Sequence, residues 1–411
     1  MSGITGLGTT FNLPNYAGEL FAITPTDTPL LSAAGGIGGG KQTDSTEFEW
    51  QTYDLRDPDS RPRLEGADAP TAEERVRSNV RNVVQIFQEA VTTSYTKMAA
   101  TGQFTNPSSA PYNSASGLGV GNPVSNEHTF QVNQALIQIA RDVNHVFWHG
   151  KKVVPSSNST ARATGGLLSS ISTNKSFVTG STEVTAASAT DTITKASHGL
   201  SDGDQIVFTD VDVATNIRPD RTYYVVSSST TFKVAATAGG SAITLGTAAP
   251  KYVRVSGTGA VSVSVDFINA FVQGIFDNGG LTQGATRTLF VPSIQKTRIT
   301  KAYATAYGSN VNGAVGTSTG HVLGGVAVDR ISTDFGDLNI VVDRSLPKDA
   351  IAAVSLEQID PVFLSIPGMG VLFEEELAKT GASNKTQIYG EIGLKYGSER
   401  AHGVLRGLSV A

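Results

Sequence analysis

Residues 35–41 read GGIGGGK, the first of three stretches whose residue types and spacing could support chemistry. The stretch comes close to the phosphate-binding loop G-x4-G-K-[ST], but Gln42 replaces the hydroxyl residue that would ligate magnesium. A strand rather than a helix is predicted to follow, so no helix N-terminus would face a phosphate. We therefore interpret the stretch as a flexible hinge and not as a nucleotide site.

His145 and His149 lie four residues apart on a predicted helix, a spacing that could hold a metal ion. Val146 follows His145, so the glutamate base of the H-E-x-x-H motif is missing, and no third ligand presents itself. We expect these histidines to be structural or simply exposed near the end of the helix.

Acidic residues form the third candidate, at Glu73–Glu74 and Glu374–Glu376. Neither run has partners that would shift a carboxyl pKa, so we interpret both as solvated faces or as faces that form salt bridges between subunits. The chain has no cysteine, and no Ser-His-Asp set can be argued from the sequence. We therefore predict no catalytic residue, no metal site and no cofactor, and the chain is not expected to be an enzyme.

Composition narrows the class of protein further. A chain of 411 residues usually forms two to three domains, and its 44 glycines suit many turns. The formal net charge of −5 excludes a dedicated nucleic-acid binder with a basic stripe. No run of 18 apolar residues and no signal-peptide pattern occurs, so we predict neither a membrane span nor Sec-type secretion.

The elements that position these residues are organised around residues 122–151. Apolar residues recur there at three- and four-residue spacings, which predicts one long amphipathic helix. Ser125 is the predicted N-cap, Glu127 lies in the first turn, and Gly150 is the predicted stop. The predicted apolar face consists of Val132, Leu136, Ile139, Val143, Val146 and Phe147.

The N-terminal part of the chain predicts two extended elements. Residues 1–44 contain helix-breaking prolines but are too apolar for a solvated tail, so we predict an extended arm that docks on something, such as another subunit. Residues 45–95 predict a hairpin, with a strand from residue 45, a returning strand at 81–100 and a long charged loop between them. Such a hairpin is either solvated and mobile or lies on another surface.

Residues 176–257 predict an inserted β module, because short strands recur there at turn-sized intervals. The rest of the chain is mixed. It predicts a helix over 262–280 that has Val265, Ile268, Phe271, Val272 and Ile275 or Phe276 on one face and Gly279 as its stop, then a strand–helix step and two strands joined by a turn at Phe335–Gly336. The segment AIAAVSLEQIDPVFL is predicted to continue that sheet, and two long alternating strands are predicted to close the chain. The fold class is therefore α+β with a β insertion.

This order of elements, together with five stretches, resembles the major capsid proteins of tailed bacteriophages, which have the Hong Kong 97 fold. The stretches are RNVVQIFQEAVTTSYT, QVNQALIQIARDVNHVFWHGKK, TRTLFVPSIQKTRIT, GGVAVDRISTDFGDLNIVVDRSLP and LAKTGASNKTQIYGEIGLKYGSERAHGVLRGL. The likeness is greatest to podovirus and siphovirus capsid proteins that lack a built-in scaffolding segment. The inserted module resembles a small all-β domain, Ig-like or a small barrel, that recurs in phage structural proteins.

The resemblance implies a division of the chain into five parts. These are an N-terminal arm (1–44), an extended-loop hairpin (45–95), a peripheral domain with the long spine helix (96–164 and 361–411), an axial domain (165–175 and 258–360) and the inserted β domain (176–257). The loop between Asp54 and Arg81 has no lysine, so the Lys–Asn cross-link of the founding family member is not expected. The chain starts directly with the arm, which implies a separate scaffolding protein or none.

The resulting hypothesis is a major capsid protein that assembles into hexamers and pentamers of an icosahedral virion shell. The shell would enclose double-stranded DNA without sequence-specific binding, and the protein would be made in the bacterial cytoplasm without contact with a membrane. Scaffolding, portal and decoration proteins are the expected further partners. The alternatives are a tail-tube or other virion structural protein, and a β-rich surface adhesin. The predicted intersubunit contact residues are Phe11, Tyr16, Trp50, Arg56, Arg61, Arg63, Glu65, Arg75 and Arg77.

Overall fold

The computed structural model describes most of the chain. It describes residues 22–37, 39–55, 58–71, 75–100, 127–157, 159–178, 182–183, 185–187, 191–195, 198–210, 216–218, 221–226, 231–246, 251–256, 260–280, 287–311, 329–378 and 381–410. The residues singled out above that lie outside these ranges are Phe11, Tyr16, Arg56, Glu73, Glu74 and Ser125. None of the described helices is long and apolar enough to cross a membrane.

Within these ranges the chain forms helices and many short strands. The helices are α1 (Pro29–Ala33), α2 (Tyr95–Ala100), α3 (Glu127–His149), α4 (Leu167–Ser170), α5 (Val265–Asp277) and α6 (Ser293–Val311). The first strands are β1 (Lys41–Thr43), β2 (Glu47–Tyr53), β3 (Arg77–Val83), β4 (Gln85–Ser94), β5 (Lys175–Phe177), β6 (Thr182–Glu183), β7 (Thr185–Ala187), β8 (Thr192–Thr194), β9 (Gln205–Asp210) and β10 (Thr222–Val226). The remaining strands are β11 (Thr231–Ala235), β12 (Lys251–Arg254), β13 (Arg287–Val291), β14 (Arg330–Thr333), β15 (Gly336–Val342), β16 (Ile351–Ser355), β17 (Asp360–Leu364), β18 (Leu372–Glu376), β19 (Ser383–Lys395) and β20 (Gly403–Arg406).

The chain divides into two compact units. The smaller unit contains α2, most of β4, the first part of α3, β18 and the first part of β19. In it, β18 pairs antiparallel with β19, from Leu372 opposite Gly390 to Glu376 opposite Thr386. His128 ties α3 to this unit, since Nδ1 lies 3.1 Å from the Thr93 hydroxyl and Nε2 lies 2.8 Å from the Thr386 hydroxyl.

The larger unit is built on a six-stranded sheet in the order β14-β15-β13-β16-β20-β5. The central strand β13 runs parallel to β15 and antiparallel to β16. Helices α5 and α6 share one apolar core with this sheet, which includes Ile268, Phe271, Ile275, Leu289, Ile299, Leu338, Ile351 and Leu405. The predicted strand–helix step and the turn between β14 and β15 are confirmed.

Helix α5 matches its predicted face closely. Ser264 caps it, because the side-chain oxygen accepts a hydrogen bond from the Phe267 N–H at 3.2 Å. Four apolar residues at helical spacing are buried in the core: Ile268, Phe271, Val272 and Ile275. The predicted stop Gly279 has φ of +86°, a conformation that favours glycine. Phe276, the alternative member of the predicted face, is 48% exposed.

The predicted long helix is confirmed as α3, but one residue of its predicted face is wrong. Leu136 is 39% exposed, whereas Ala135 before it is buried. The buried stripe advances in steps of four residues from Ala135 through Ile139 and Val143 to Phe147, so Leu136 lies about 100° away from it. Trp148 is also fully buried, a position that the periodicity did not predict.

Seven short strands between Thr182 and Arg254 form a separate sheet in the order β6-β12-β9-β10-β11-β8-β7. The two outermost strands, β6 and β7, follow one another in the chain, so one chain segment supplies both edges of this sheet. We call the seven-stranded sheet and its core the barrel. Its interior holds the buried side chains of Ile193, Ile206, Phe208, Tyr223, Val225, Phe232, Val234 and Tyr252.

The barrel also packs on the rest of the larger unit, and this changes the expected limits of the insert. Val207 and Val253 form a buried cluster with Val255, against which Phe177 and Val410 pack. Strand β5 pairs with β20 in the six-stranded sheet, although two of its residues fall within the predicted insert 176–257. The Val410 N–H donates a hydrogen bond to the Val255 carbonyl at 2.9 Å. Val255, which falls within the predicted insert, is therefore held by the segment that follows β20.

The predicted hairpin forms between β2 and β3, in register from Glu47 opposite Val83 to Tyr53 opposite Arg77. The predicted returning strand at 81–100 is wrong in its limits. The hairpin strand β3 begins at Arg77 and ends at Val83, β4 instead pairs with β19, and the residues from Tyr95 to Ala100 are helical.

Residues 29–43 differ from the predicted extended arm. Pro29 begins α1, where its missing N–H costs no helical hydrogen bond, and Leu30 and Leu31 are buried. Part of the glycine stretch that we expected to be a flexible hinge, at Gly39 and Gly40, is closely packed instead. A Cβ atom on Gly40 would lie 2.1 Å from the carbonyl oxygen of Pro361. This fit lets β1 pair in parallel with β17.

The C-terminal strands also differ from the prediction. Strand β19 is long, but β20 has four residues, all buried, and does not alternate. The segment predicted to continue one sheet is divided, because β16 lies in the six-stranded sheet whereas β17 pairs with β1 and with the last part of β19. β20 lies beside β16, and not with the strands that we assigned to the peripheral domain.

Candidate functional site: the hairpin and its anchors

The inner face of the hairpin is held by the chain itself. Trp50 donates a hydrogen bond from Nε1 to the Gly397 carbonyl at 2.7 Å, and its ring meets the Tyr396 ring edge-on at 4.9 Å. Phe48 packs on Gly393, where an added Cβ atom would lie 2.7 Å from the phenyl ring. Trp50, which we predicted as an intersubunit residue, therefore makes contacts within its own chain.

Asn82 fixes the base of the hairpin. Its Nδ2 donates to the carbonyls of Gly165 at 3.0 Å and Leu394 at 2.7 Å. Its Oδ1 accepts from the N–H groups of Gly165 and Val83, each at 2.9 Å. The residue is 1% exposed, so these four bonds satisfy a buried amide and join the hairpin to two distant segments.

The outer face of the hairpin is polar. Glu49 accepts a hydrogen bond from Asn79 at 3.1 Å and lies 3.4 Å from the Arg81 guanidinium. Arg77, a predicted contact residue, donates to the Gln51 side chain at 3.0 Å across the strand pair. These side chains are partly or fully exposed, so the pairs contribute little to stability but keep the strands in register.

The end of β2 and the loop beyond it expose large apolar side chains. Tyr53, Leu55, Leu64 and Val76 are 71%, 65%, 85% and 75% exposed. We call these four residues the apolar tip. The sequence did not single out these residues, because charged side chains dominate the loop.

The other predicted contact residues in the loop are also exposed. Arg63 donates to the Asp68 carbonyl at 3.0 Å, and Arg61 lies 4.0 Å from Asp59. Glu65 and Arg75 are exposed as well. The structure thus places four of the predicted contact residues in the same loop region as the apolar tip, with Arg63 and Glu65 on either side of Leu64 in sequence and Arg75 next to Val76.

A buried polar cluster anchors the C-terminal half of α3. Asp343, which is fully buried, accepts hydrogen bonds from Trp148 Nε1 at 2.8 Å and from the Ser345 N–H at 2.7 Å. Asn144 bonds to the Ser345 hydroxyl at 2.9 Å and accepts from the Leu31 N–H at 3.0 Å. The cluster joins α3 to α1 and to the end of β15.

Neither candidate for chemistry on α3 or β18 forms a reactive arrangement. His149 Nε2 lies 2.6 Å from the Ser345 carbonyl, and His145 Nε2 lies 3.0 Å from the Arg218 guanidinium. Among the described residues, no group of three or more potential ligands could hold a metal ion. The three acids Glu374, Glu375 and Glu376 are exposed, and Glu375 accepts a hydrogen bond from Gln387 at 2.8 Å.

Several ionisable groups have shifted pKa values, among them His402, Asp360 and Glu399. Burial lowers the pKa of His402, which accepts from the Ser355 N–H at 3.2 Å and lies 2.8 Å from the Tyr396 carbonyl. Burial alone would raise the pKa of Asp360, but hydrogen bonds from Lys41 at 2.7 Å and Lys395 at 3.2 Å lower it overall. The pKa of Glu399 is lowered despite partial burial, because Thr173 and Ser172 donate to it. These are structural interactions.

Comparison with known proteins assigns the chain to a protein family. A family model described as SU10 major capsid protein matches residues 3–409. The chain belongs to the SU10 major capsid protein family. As a member of this structural family, the capsid protein is a component of a phage head, and the tail-tube and adhesin alternatives are not favoured.

A solved structure shows the same fold for this capsid protein, and others resemble it more weakly. The capsid asymmetric unit of cyanophage A-1(L) matches it with a TM-score of 0.54 and 11% identity, over 98% of this chain and 99% of that chain. The capsid of cyanophage P-SCSP1u gives a TM-score of 0.47 at 9% identity, over 97% and 94% of the two chains. Mycobacterium phage Che8 gives 0.43 at 10% identity, over 97% and 98%. No curated protein sequence matches the chain.

Proposed function

We propose that this capsid protein assembles into hexamers and pentamers of an icosahedral shell that encloses double-stranded DNA. The observation that carries the proposal is the apolar tip, presented on a hairpin whose base is fixed by Asn82 and Trp50. A hairpin held at its base and apolar at its end is suited to lie on a second copy of the chain.

The energetics support contact through the apolar tip more than through the charged residues. Burying a leucine or valine side chain contributes about 1.5–3 kcal/mol, whereas an exposed ion pair contributes about 0–1 kcal/mol. Arg61, Arg63, Glu65 and Arg75 would then select the orientation of the neighbouring copy. The predicted contacts through Phe11, Tyr16 and Arg56 stay part of the proposal.

The division of the chain into capsid domains is also proposed, with limits adjusted to the sheets. The barrel between Thr182 and Arg254 serves as the inserted domain, and the supply of both edge strands by one chain segment supports the small barrel over the Ig-like alternative. The six-stranded sheet with α5 and α6 serves as the axial domain. Helix α3 with β4, β18 and β19 serves as the peripheral domain.

The wider setting follows from the same proposal. A net charge of −5 suits a container that holds DNA without binding it tightly. The protein would be made in the bacterial cytoplasm, act without catalysis, and meet scaffolding, portal and decoration proteins during assembly of the virion.

Electron microscopy of the purified full-length protein tests this proposal. Closed shells with five- and six-fold capsomers are expected, as are hexameric plates before closure. Tubes, or monomers that persist under all solution conditions, would contradict it. The enclosure of DNA is tested separately: particles recovered from infected cells should protect double-stranded DNA from nuclease.

A further inference from the structure

Two aromatic side chains form an exposed apolar surface in the larger unit. Phe276 lies in the last turn of α5 and Phe335 lies in the turn between β14 and β15, and their ring centroids are 5.3 Å apart. Phe276 is 48% exposed and Phe335 is half-buried. We call these two residues the aromatic pair. Phe335 packs against the core that α5 and α6 share with the six-stranded sheet, so this core fixes the position of the pair.

Acidic residues border the aromatic pair. Asp277 directly follows Phe276 and Asp334 directly precedes Phe335, and both acids are exposed. A rigid apolar surface with a negative border favours a partner that brings an apolar side chain together with positive charge.

The apolar tip has the complementary chemistry. Leu64 directly follows Arg63, and Val76 lies between Arg75 and Arg77. Three of the four residues that flank these two exposed side chains in sequence are therefore arginines, and the fourth is a glutamate. Guanidinium groups pair well with carboxylates and also stack on aromatic rings, so they suit both parts of the surface around the aromatic pair.

The symmetry of a ring indicates which molecule supplies this partner. Copies that form rings of five or six contact each other head to tail, so the apolar tip of one copy must meet a different surface of the next. Outside the tip, the other exposed large apolar residues described in the larger unit are Ile86, Val154, Val342 and Met369, none of which is aromatic. The aromatic pair therefore offers the tip a larger apolar contact than any of these single side chains.

We propose that the aromatic pair of one copy receives the apolar tip of the next copy in the ring, with the arginines of the tip facing Asp277 and Asp334. This inference rests on the proposed assembly through the apolar tip and specifies the surface that the tip binds.

Cross-linking between two kinds of copy tests the inference. The chain has no cysteine, so a thiol can be introduced at one chosen position. Glu65→Cys places it beside Leu64 and Asp277→Cys places it beside Phe276, and both variants keep the apolar side chains. An equal mixture of the two variants, assembled and then treated with a short thiol-specific cross-linker, should give a covalent dimer with one chain of each kind. Mass spectrometry of the linked peptides identifies that dimer.

The control mixture replaces Asp277→Cys by Val154→Cys, a position that is exposed but lies outside the aromatic pair. It should give little of the mixed dimer. Two results overturn the inference and leave the proposed function standing: shells in which positions 65 and 277 are not cross-linked, and shells in which position 154 is cross-linked to position 65 as strongly as position 277 is. If the unaltered protein forms no shells, the proposed function fails and this inference fails with it.

Reversal of charge provides a second test. Arg63→Glu and Asp334→Arg should each raise the protein concentration needed for assembly by at least about tenfold, because like charges would then face each other. The two substitutions together should restore assembly to within about threefold of the unaltered protein. Glu357→Arg, which reverses an exposed acid elsewhere in the larger unit, is the matched control and should assemble normally. Normal assembly of both single variants, or no recovery in the double variant, overturns the inference.

Discussion

His402 shows how a single buried side chain couples this capsid protein to pH. Its side chain is fully buried, Nδ1 accepts from the Ser355 N–H, and Nε2 faces the Tyr396 carbonyl, so the neutral ring with a proton on Nε2 fits both partners. A second proton would have to be placed on Nδ1, against an N–H group. Burial accordingly lowers the pKa of His402 in the folded state.

We expect the protein to lose stability as the pH falls below about 6.5, which is the ordinary pKa of a histidine side chain. In that range the unfolded chain binds a proton that the folded chain resists, so the free energy of unfolding decreases with decreasing pH. The lowered pKa values of Asp360 and Glu399 act in a separate window, because their stabilising effect is lost only at more acidic pH. Unfolding temperatures between pH 7.5 and 5 measure the effect.

His402→Gln should flatten this pH dependence while lowering stability at neutral pH. The control is His198→Gln in the barrel, where the half-exposed imidazole also accepts a backbone hydrogen bond, from the Leu200 N–H. The control should keep the acid-dependent loss. An unchanged pH profile in His402→Gln would show that the acid sensitivity arises from another group.

Asn82→Ala is predicted to be strongly destabilising. The substitution leaves the N–H and carbonyl of Gly165 and the carbonyl of Leu394 without a buried partner, and each such loss costs about 1–3 kcal/mol. Thermal unfolding should therefore shift down by several degrees. Asn79→Ala, an exposed residue on the same strand, should change stability by no more than about 0.5 kcal/mol. Similar shifts for the two variants would contradict the anchoring role of Asn82.

At the scale of elements, the sequence pattern predicted those features that depend only on residues near one another in the chain. The buried face of α5, its cap and its stop depend on residues within one helix, and the sequence contains all of that information. The role of Asn82 could not be predicted, because its partners are 83 and 312 positions away. The division between β16 and β17 was missed for the same reason: both are strongly apolar, and only non-local pairing decides their sheets.

The limits of the inserted barrel give a prediction at this scale. Deleting residues 180–254 and closing the gap with a Gly-Ser-Gly linker retains β5 and Val255, which are tied to β20 and Val410. That variant should keep the secondary structure of the larger unit. Deleting residues 176–257 removes most of β5 as well and should be markedly less stable.

Circular dichroism and thermal unfolding of the two deletions distinguish these outcomes. The shorter deletion uncovers Phe177 and Val410, which pack against Val207 and Val253 of the barrel. Phe177→Ser in that background should therefore improve solubility. Failure of the shorter deletion to fold at all would show that the barrel is part of the core and not an insert.

At the scale of the whole molecule, the order of elements identified the family, whereas the contact surface between copies stays a prediction. The sequence predicted the hairpin and its charged loop, and we also predicted Trp50 as a contact residue. Within the chain, Trp50 contacts Gly397 and Tyr396. Which aromatic residue faces inward depends on the docking of the hairpin, and periodicity contains no information about that.

Substitutions in the apolar tip should impair assembly without impairing the folding of the isolated chain. Leu64 is 85% exposed and Val76 is 75% exposed, so Leu64→Asp and Val76→Asp should change the stability of the isolated chain by no more than about 0.5 kcal/mol. If these side chains are buried against a second copy, each substitution forfeits about 2 kcal/mol of burial and also places a charge in an apolar contact. The protein concentration needed for assembly should therefore rise by at least about tenfold, as measured by light scattering and electron microscopy. Leu64→Met, which keeps an apolar side chain of similar volume, should assemble normally. Normal assembly of both aspartate variants would exclude the apolar tip as the contact between copies.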